Sequence, residues 1–225
     1  MSEGSEGERE PTLYEGLMTT RAMRRFTDEA ISVDDIEAIL AAAVQAPSGG
    51  NIQPYQFLVV TDGDRRAAIG AEYLRAYDRY EPAVLARIPP FPDDQARQRH
   101  ERNWRLSREL ASSIGRAPAL VLVLVPRISM TISDDEGDMD VGPVYASVYP
   151  AVQNLILAAR SLGIGSCLTT VVRIHEAEVR AVCEIPERYE IAALLPLGRP
   201  VGRWGVAPRR PAPTLTSWET FGTRR

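Results

Sequence analysis

The chain has 225 residues, 44% of them hydrophobic and 25% charged, with a formal net charge of −4. This suits one elaborated domain able to bury a sizeable core, and nothing in the charge favours nucleic acid as a partner. All 26 basic residues are arginine, and two cysteines (Cys167, Cys183) and two histidines (His100, His175) are too few and too scattered for a disulfide framework or a structural metal.

Residues 1–12 are polar and acidic and read as a disordered tail without the basic and apolar regions of a signal peptide. Residues 13–225 read as a single domain. TLYEGLMTTRAMRRF predicts a short helix with Leu13, Leu17 and Met18 inward, ending in the cluster Arg21, Arg24 and Arg25. In DEAISVDDIEAILAAAVQA, Ser32 is a helix N-cap and Asp34 and Asp35 suit the positive first turn; Ile36, Ile39, Leu40, Ala43 and Val44 share one face. Tyr55 to Thr61 is apolar and β-branched, which predicts a buried strand, and DGDRRAAIGAEYLRAY predicts a helix capped by Asp62 or Asp64.

Residues 77–100 break the regular pattern with Pro82, Pro89, Pro90 and Pro92, so a long loop is expected there. With its flanks, over 72–105, it is a candidate lid carrying Tyr73, Tyr77, Tyr80, Phe91 and Trp104; a helix resumes through ERNWRLSRELASSIG. APALVLVLVPR is the clearest strand; its apolar run, 119–125, is far too short to span a bilayer. The chain therefore reads as cytoplasmic, with no membrane partner. SDDEGDMD reads as a solvated loop, since calcium-loop spacing is absent. VGPVYASVYPAVQNLILAARSLGIG predicts a central buried helix that starts or kinks near Pro150 and is terminated by Gly163 and Gly165. A short extended segment SCLTTVV, a helix over 175–183 and a final strand EIAALLPLG follow. The Pro- and Arg-rich arm 200–225 is expected to wrap a neighbour. Strands and helices mix without strict alternation, which gives an α+β class with helices around one sheet.

Four stretches carry candidate chemistry. Clustered guanidiniums in Arg21-Ala22-Met23-Arg24-Arg25 suit a phosphate. In APSGGNIQPYQF, Ser48, Asn51 and Gln53 offer donors and acceptors, and Gly49 and Gly50 permit close backbone approach to a flat ligand. The other two are GIGSCLTT, 163–170, and Arg209-Arg210 in the arm. Each alone also fits an ordinary turn, cap or solvated face.

Taken in order, TTRAMRRF, APSGGNIQPYQF, SVYPAVQNLILAARSLGIGSCLTT and LLPLGRP with a late Arg-Arg-Pro resemble the nitroreductase family of FMN-dependent oxidoreductases over roughly residues 13–222. The resemblance implies a mostly antiparallel central sheet flanked by helices, in an intertwined homodimer with FMN at the interface. It implies that Arg21 and Arg24, with Ala22 between them, hold the FMN phosphate, joined by Arg209 and Arg210. Pro47, Ser48, Gly49, Asn51 and Gln53 would come from the partner subunit. Leu168, Thr169 and Thr170 would cover one ring face, with the Thr170 backbone N–H near flavin N5. NAD(P)H would be the electron donor, and a nitroaromatic or quinone the acceptor, selected by the lid. No side chain need act as acid or base, and Cys167 reads as structural. Relatives often have Arg-Arg-Ser where this chain has Thr20-Arg21-Ala22, so Thr20 or Arg25 is expected to compensate.

Overall fold

The computed structural model describes residues 10–128 and 130–225. Its frame is a four-stranded antiparallel sheet in the order β1 (Gln56–Val60), β2 (Ala119–Pro126), β6 (Tyr189–Gly198), β5 (Gly165–Ser166). The helices are α1 (Leu13–Thr19), α2 (Val33–Ala43), α3 (Gly63–Leu85), α4 (Asp94–Ser113), α5 (Tyr145–Ser161) and α6 (Glu176–Val182), and a separate hairpin joins β3 (Thr131–Asp134) to β4 (Gly137–Asp140).

The strand period of two divides the core into two layers. Val121, Val123 and Val125 of β2 face α2 and α5, meeting Ile36, Ile39, Val152 and Leu155. Leu120, Leu122 and Leu124 face the other way, towards Ile69, Tyr73 and Tyr77 of α3 and Leu110 of α4. β2 is therefore apolar on both faces, which is why its sequence is a continuous run rather than an alternation. Ser32 caps α2 by accepting from the Asp35 N–H at 3.0 Å, and Asp62 caps α3 by accepting from the Arg65 N–H at 2.9 Å.

Several expectations need correction. The first helix ends at Thr19, and Thr20 is already extended (φ −67°, ψ 127°). Residues 21–27 instead run along the sheet margin: Met23 N–H donates to Ser166 O at 2.8 Å and Thr27 N–H to Arg199 O at 2.9 Å. Leu13, Leu17 and Met18 are not inward within one chain; they are 75%, 53% and 48% exposed, because α1 turns Gly16 rather than its leucines towards α5. The strand after APSGGNIQ is an edge strand, mostly half-buried, since it has one neighbour in the sheet. The prolines of 77–100 do not make a long loop: α3 continues through Pro82 to Leu85, and α4 starts at Asp94, capped by Asp93. The stretch is a helical hairpin with a short connection. SDDEGDMD belongs to the exposed β3–β4 hairpin rather than a loop, with Ile132 opposite Met139. α5 begins at Tyr145 and carries Pro150 in its second turn without ending there. Most of the expected 1–12 tail lies outside the described residues, although Thr12 and Glu15 form a capping box on α1. No helix among the described residues is long and apolar enough to cross a membrane.

Candidate functional site

A cleft of about 310 Å³ opens on the α3–α4 side of the sheet. One wall is α3, which presents Tyr73, Tyr77 and Tyr80 at helical spacing. A second wall is α4, with Asn103, Trp104, Ser107 and Leu110 on one face. Residues 167–171 close the third side, and Arg24 stands at the margin. The rings pack on one another: Tyr73 stacks on Tyr77 at 6.5 Å between centroids, and Trp104 lies 6.3 Å from Tyr77 and 6.0 Å from Tyr80. Arg108 ties the two helices by bonding Asp78 and Glu81, and its guanidinium lies 4.8 Å from the Tyr77 ring centre.

The third wall is held from two sides. Thr169 pairs with Leu194 of β6 through both backbone groups, at 3.0 and 2.9 Å. Its hydroxyl hydrogen-bonds the Tyr73 phenol at 2.8 Å. The Thr170 carbonyl accepts from Arg173 N–H at 3.0 Å, while the exposed Thr170 N–H meets no backbone acceptor among the described residues. Arg24 enters the cleft because Met23 and Phe26, on either side of Arg24 and Arg25, are pinned. Phe26 packs on Gly198, where an added Cβ would meet Phe26 Cβ at 2.7 Å. Arg21, Arg24 and Arg25 form no ion pair among the described residues. The Thr20 hydroxyl beside them is buried and unpartnered.

Burial pushes the Tyr73 phenol well above the usual tyrosine range and the Tyr77 phenol up to about 12. It also raises the Cys167 thiol, against a smaller opposing pull from Arg24. All three groups stay protonated near neutral pH. The cleft therefore offers hydrogen bonds and stacking surfaces rather than a proton shuttle.

Of the residues singled out from sequence, Arg24, Tyr73, Tyr77, Tyr80, Trp104, Leu168, Thr169 and Thr170 meet in this cleft. Phe91 stands behind it, 4.9 Å from the His100 ring, which in turn lies 5.8 Å from Trp104. Arg21 and Ala22 are exposed beside it. Pro47, Ser48, Gly49, Asn51 and Gln53 form a separate group on the α2–α5 side: Gly49 N–H donates to Ser147 Oγ at 3.2 Å, and Ser48 Oγ accepts from Gln53 N–H at 2.8 Å. Gly50, Asn51 and Gln53 have φ of 57°, 56° and 51°, so this loop is shaped by left-handed residues and leaves its carboxamides outward. Arg209 and Arg210 are exposed on the arm and are not among the residues that line the cleft. The sequence reading passed over Asn103 and Ser107; their spacing from Trp104 becomes visible once α4 is traced back to Asp94. It also passed over Arg203, which lies between two arm anchors, Val201 N–H to Arg25 O at 2.9 Å and Gly205 N–H to Thr19 O at 3.2 Å.

The donor set fits FMN. Unpaired guanidiniums and the orphaned Thr20 hydroxyl suit a phosphate, and the unbonded Thr170 N–H beside stacked rings suits a flat heteroaromatic edge.

The sequence model of the nitroreductase family matches residues 17–199. A nitrobenzene nitroreductase of Ectopseudomonas oleovorans is 25% identical over 206 residues, covering 84% of this chain and 86% of its own length. The 5,6-dimethylbenzimidazole synthase of Rhodospirillum rubrum is 28% identical over 226 residues, covering 92% of this chain and 96% of its own. Among solved structures, an oxidised iodotyrosine deiodinase bound to FMN and 3-iodo-L-tyrosine superposes with a TM-score of 0.69 at 24% identity, covering 93% of this chain and 100% of that one.

Proposed function

The chain belongs to the nitroreductase family, and from that premise we propose that it is an FMN-dependent NAD(P)H oxidoreductase acting on a nitroaromatic or quinone acceptor as a homodimer. One observation carries the reading. Arg24, the ring-bearing faces of α3 and α4, and the Leu168–Thr170 wall come from three distant parts of the sequence and line one cleft. Bound there, FMN would supply hydride acceptance from NAD(P)H and donation to the acceptor.

The chain's own residues would do the rest. Arg24 and Arg21 would hold the phosphate, with Thr20 adding a hydroxyl and Arg209 or Arg210 arriving from an arm. The Thr170 N–H would hydrogen-bond the ring edge at N5, an acceptor in the oxidised flavin. Leu168 and Thr169 would back the ring. Tyr77, Tyr80 and Trp104 would exclude water and offer stacking surface to a flat acceptor. Pro47, Ser48, Gly49, Asn51 and Gln53 lie on the far side of the sheet from the cleft of their own chain. Their contribution therefore requires a second subunit, and the exposed Leu13, Leu17 and Met18 of α1 supply apolar surface for one.

The visible spectrum before and after anaerobic NAD(P)H tests this. A flavin band that bleaches, then returns on adding a nitroaromatic or a quinone, is the expected result. A bound flavin that does not bleach would mean a store or sensor. A second enzymatic reading has a specific basis, since relatives of similar identity include a benzimidazole synthase and a deiodinase. Product analysis after flavin reduction, with halogenated phenols as acceptor and with oxygen alone, separates these branches.

A further inference from the structure

The wall that carries Thr170 is not free to settle where it likes. Two consecutive residues of α3 grip the two ends of the segment 169–175. Tyr73 bonds the Thr169 hydroxyl at 2.8 Å, and the Glu72 carboxylate meets His175 Nδ1 at 3.1 Å. His175 is 7% exposed and Tyr73 2%, so each tether has one end shielded from water. Arg75 holds the same carboxylate through 2.8 and 2.9 Å bonds, which fixes Glu72 on its own helix. Between the tethers, Arg173 N–H closes a turn on the Thr170 carbonyl at 3.0 Å, so the Thr170 peptide has little freedom once both ends are held. The backbone pairing of Thr169 with Leu194 fixes this wall to the sheet but leaves its tilt to the side chains.

We propose that Tyr73 is a positioning residue: through the Thr169 hydroxyl, with Glu72–His175 as the second tether, it sets the direction of the Thr170 N–H and so tunes how readily the bound cofactor accepts electrons. This rests on the FMN reading above. α3 also lines the cleft with Tyr77 and Tyr80. Displacement of α3 by an occupant would therefore reach the Thr170 segment through the Tyr73–Thr169 bond.

The test is a double-mutant cycle with Tyr73→Phe and Thr169→Val, and Thr169→Ser as the conservative rescue. Each of the two first changes removes one partner of the Tyr73–Thr169 bond, and Thr169→Val also removes the acceptor of a longer 3.4 Å bond from the Val171 N–H. The FMN-loaded proteins are equilibrated with a redox indicator dye. Because N5 accepts a hydrogen bond when oxidised and carries a hydrogen when reduced, a loosened Thr170 donor is expected to shift the oxidised-to-reduced flavin ratio by about threefold or more towards reduced in each single variant. The double variant should shift no further than the larger single, and Thr169→Ser should restore the parent ratio. Ratios unchanged in both singles, even with lowered melting temperature, overturn the proposal, because a purely structural bond would behave so. Additive shifts also overturn it. Hydrogen exchange on the cofactor-free chain keeps the outcomes apart. Faster exchange of the Thr169 and Leu194 amides in Tyr73→Phe supports the tether whether or not FMN binds, and unchanged exchange sinks it. Failure of FMN to bind the parent sinks the functional reading instead.

Discussion

Arg24 stands half-buried at the cleft margin with no ion-pair partner among the described residues, where nine other arginines do hold acid partners. An unpaired guanidinium in such a place is poised for an external anion. Arg24→Ala is expected to weaken FMN binding about tenfold or more, read by fluorescence quenching as FMN is titrated into the protein. Glu72 gives a second prediction at this scale. The His175 hydrogen bond, helped by Arg75 and opposed by burial, holds its carboxyl below the usual value of 4.5. Such a group stabilises the fold above its ordinary pKa and loses that contribution as pH falls through the depressed one. The melting-temperature difference between the parent and Glu72→Gln should therefore be full above the ordinary carboxylate range and fade as pH falls through the depressed pKa. These single residues were unevenly legible. Arg24 stood out as part of an arginine cluster, and Tyr73 as an aromatic in a candidate lid. The bonds of Tyr73 to Thr169 and of Glu72 to His175, 96 and 103 positions away, carry no local signal.

At the scale of elements, the α3–α4 hairpin decides the shape of the cleft. Its prolines cluster at the connection, and Pro82 lies in the last turn of α3, where a missing N–H is tolerated at a cost. Loop-like composition therefore masked two helices. Arg108 fastens them by bonding Asp78 and Glu81. Arg108→Ala is expected to raise the rate of proteolytic cleavage within residues 86–92 and to cost roughly 1 kcal/mol of stability, since Arg108 and Asp78 are partly solvated. α3 also crosses the turn after α4 at two glycines: an added Cβ at Gly70 would lie 2.8 Å from the Gly115 backbone. Backbone cannot move aside as a side chain end can, so Gly70→Ala should lower stability by about 2 kcal/mol, measured by urea unfolding. Segment 20–27 shows the opposite failure of local reading. Its residues are compatible with a helix, but backbone bonds to Ser166, Arg199 and Val201 draw it into extended form and aim Arg24 at the cleft.

At the scale of the whole molecule, the sheet separates the two groups of residues that the family resemblance assigns to one cofactor. Ser48 and its neighbours belong with α2 and α5, and the Thr170 wall with α3 and α4. In the proposed homodimer the two groups would meet. Leu17→Glu, on the exposed face of α1, is accordingly expected to shift sedimentation from dimer to monomer and to weaken FMN retention with it. If FMN stays bound to a monomer, the shared site is wrong.

The sequence by itself determined the family, the α+β class, the double-faced strand β2, the caps of α2 and α3, and most of the segments that reach the cleft. Those features are written in local chemistry: periodicity, capping side chains, and runs of residues suited to one environment. Only the tertiary structure decided that 77–100 is helical, that β1 is an edge, that Leu13 and Leu17 face outward, and that Asn103, Ser107, Glu72 and His175 belong to the same neighbourhood as Thr170. Each of these depends on which distant backbone or side chain satisfies a given group, and burial and hydrogen bonding between remote segments outweigh the local preferences that a sequence displays.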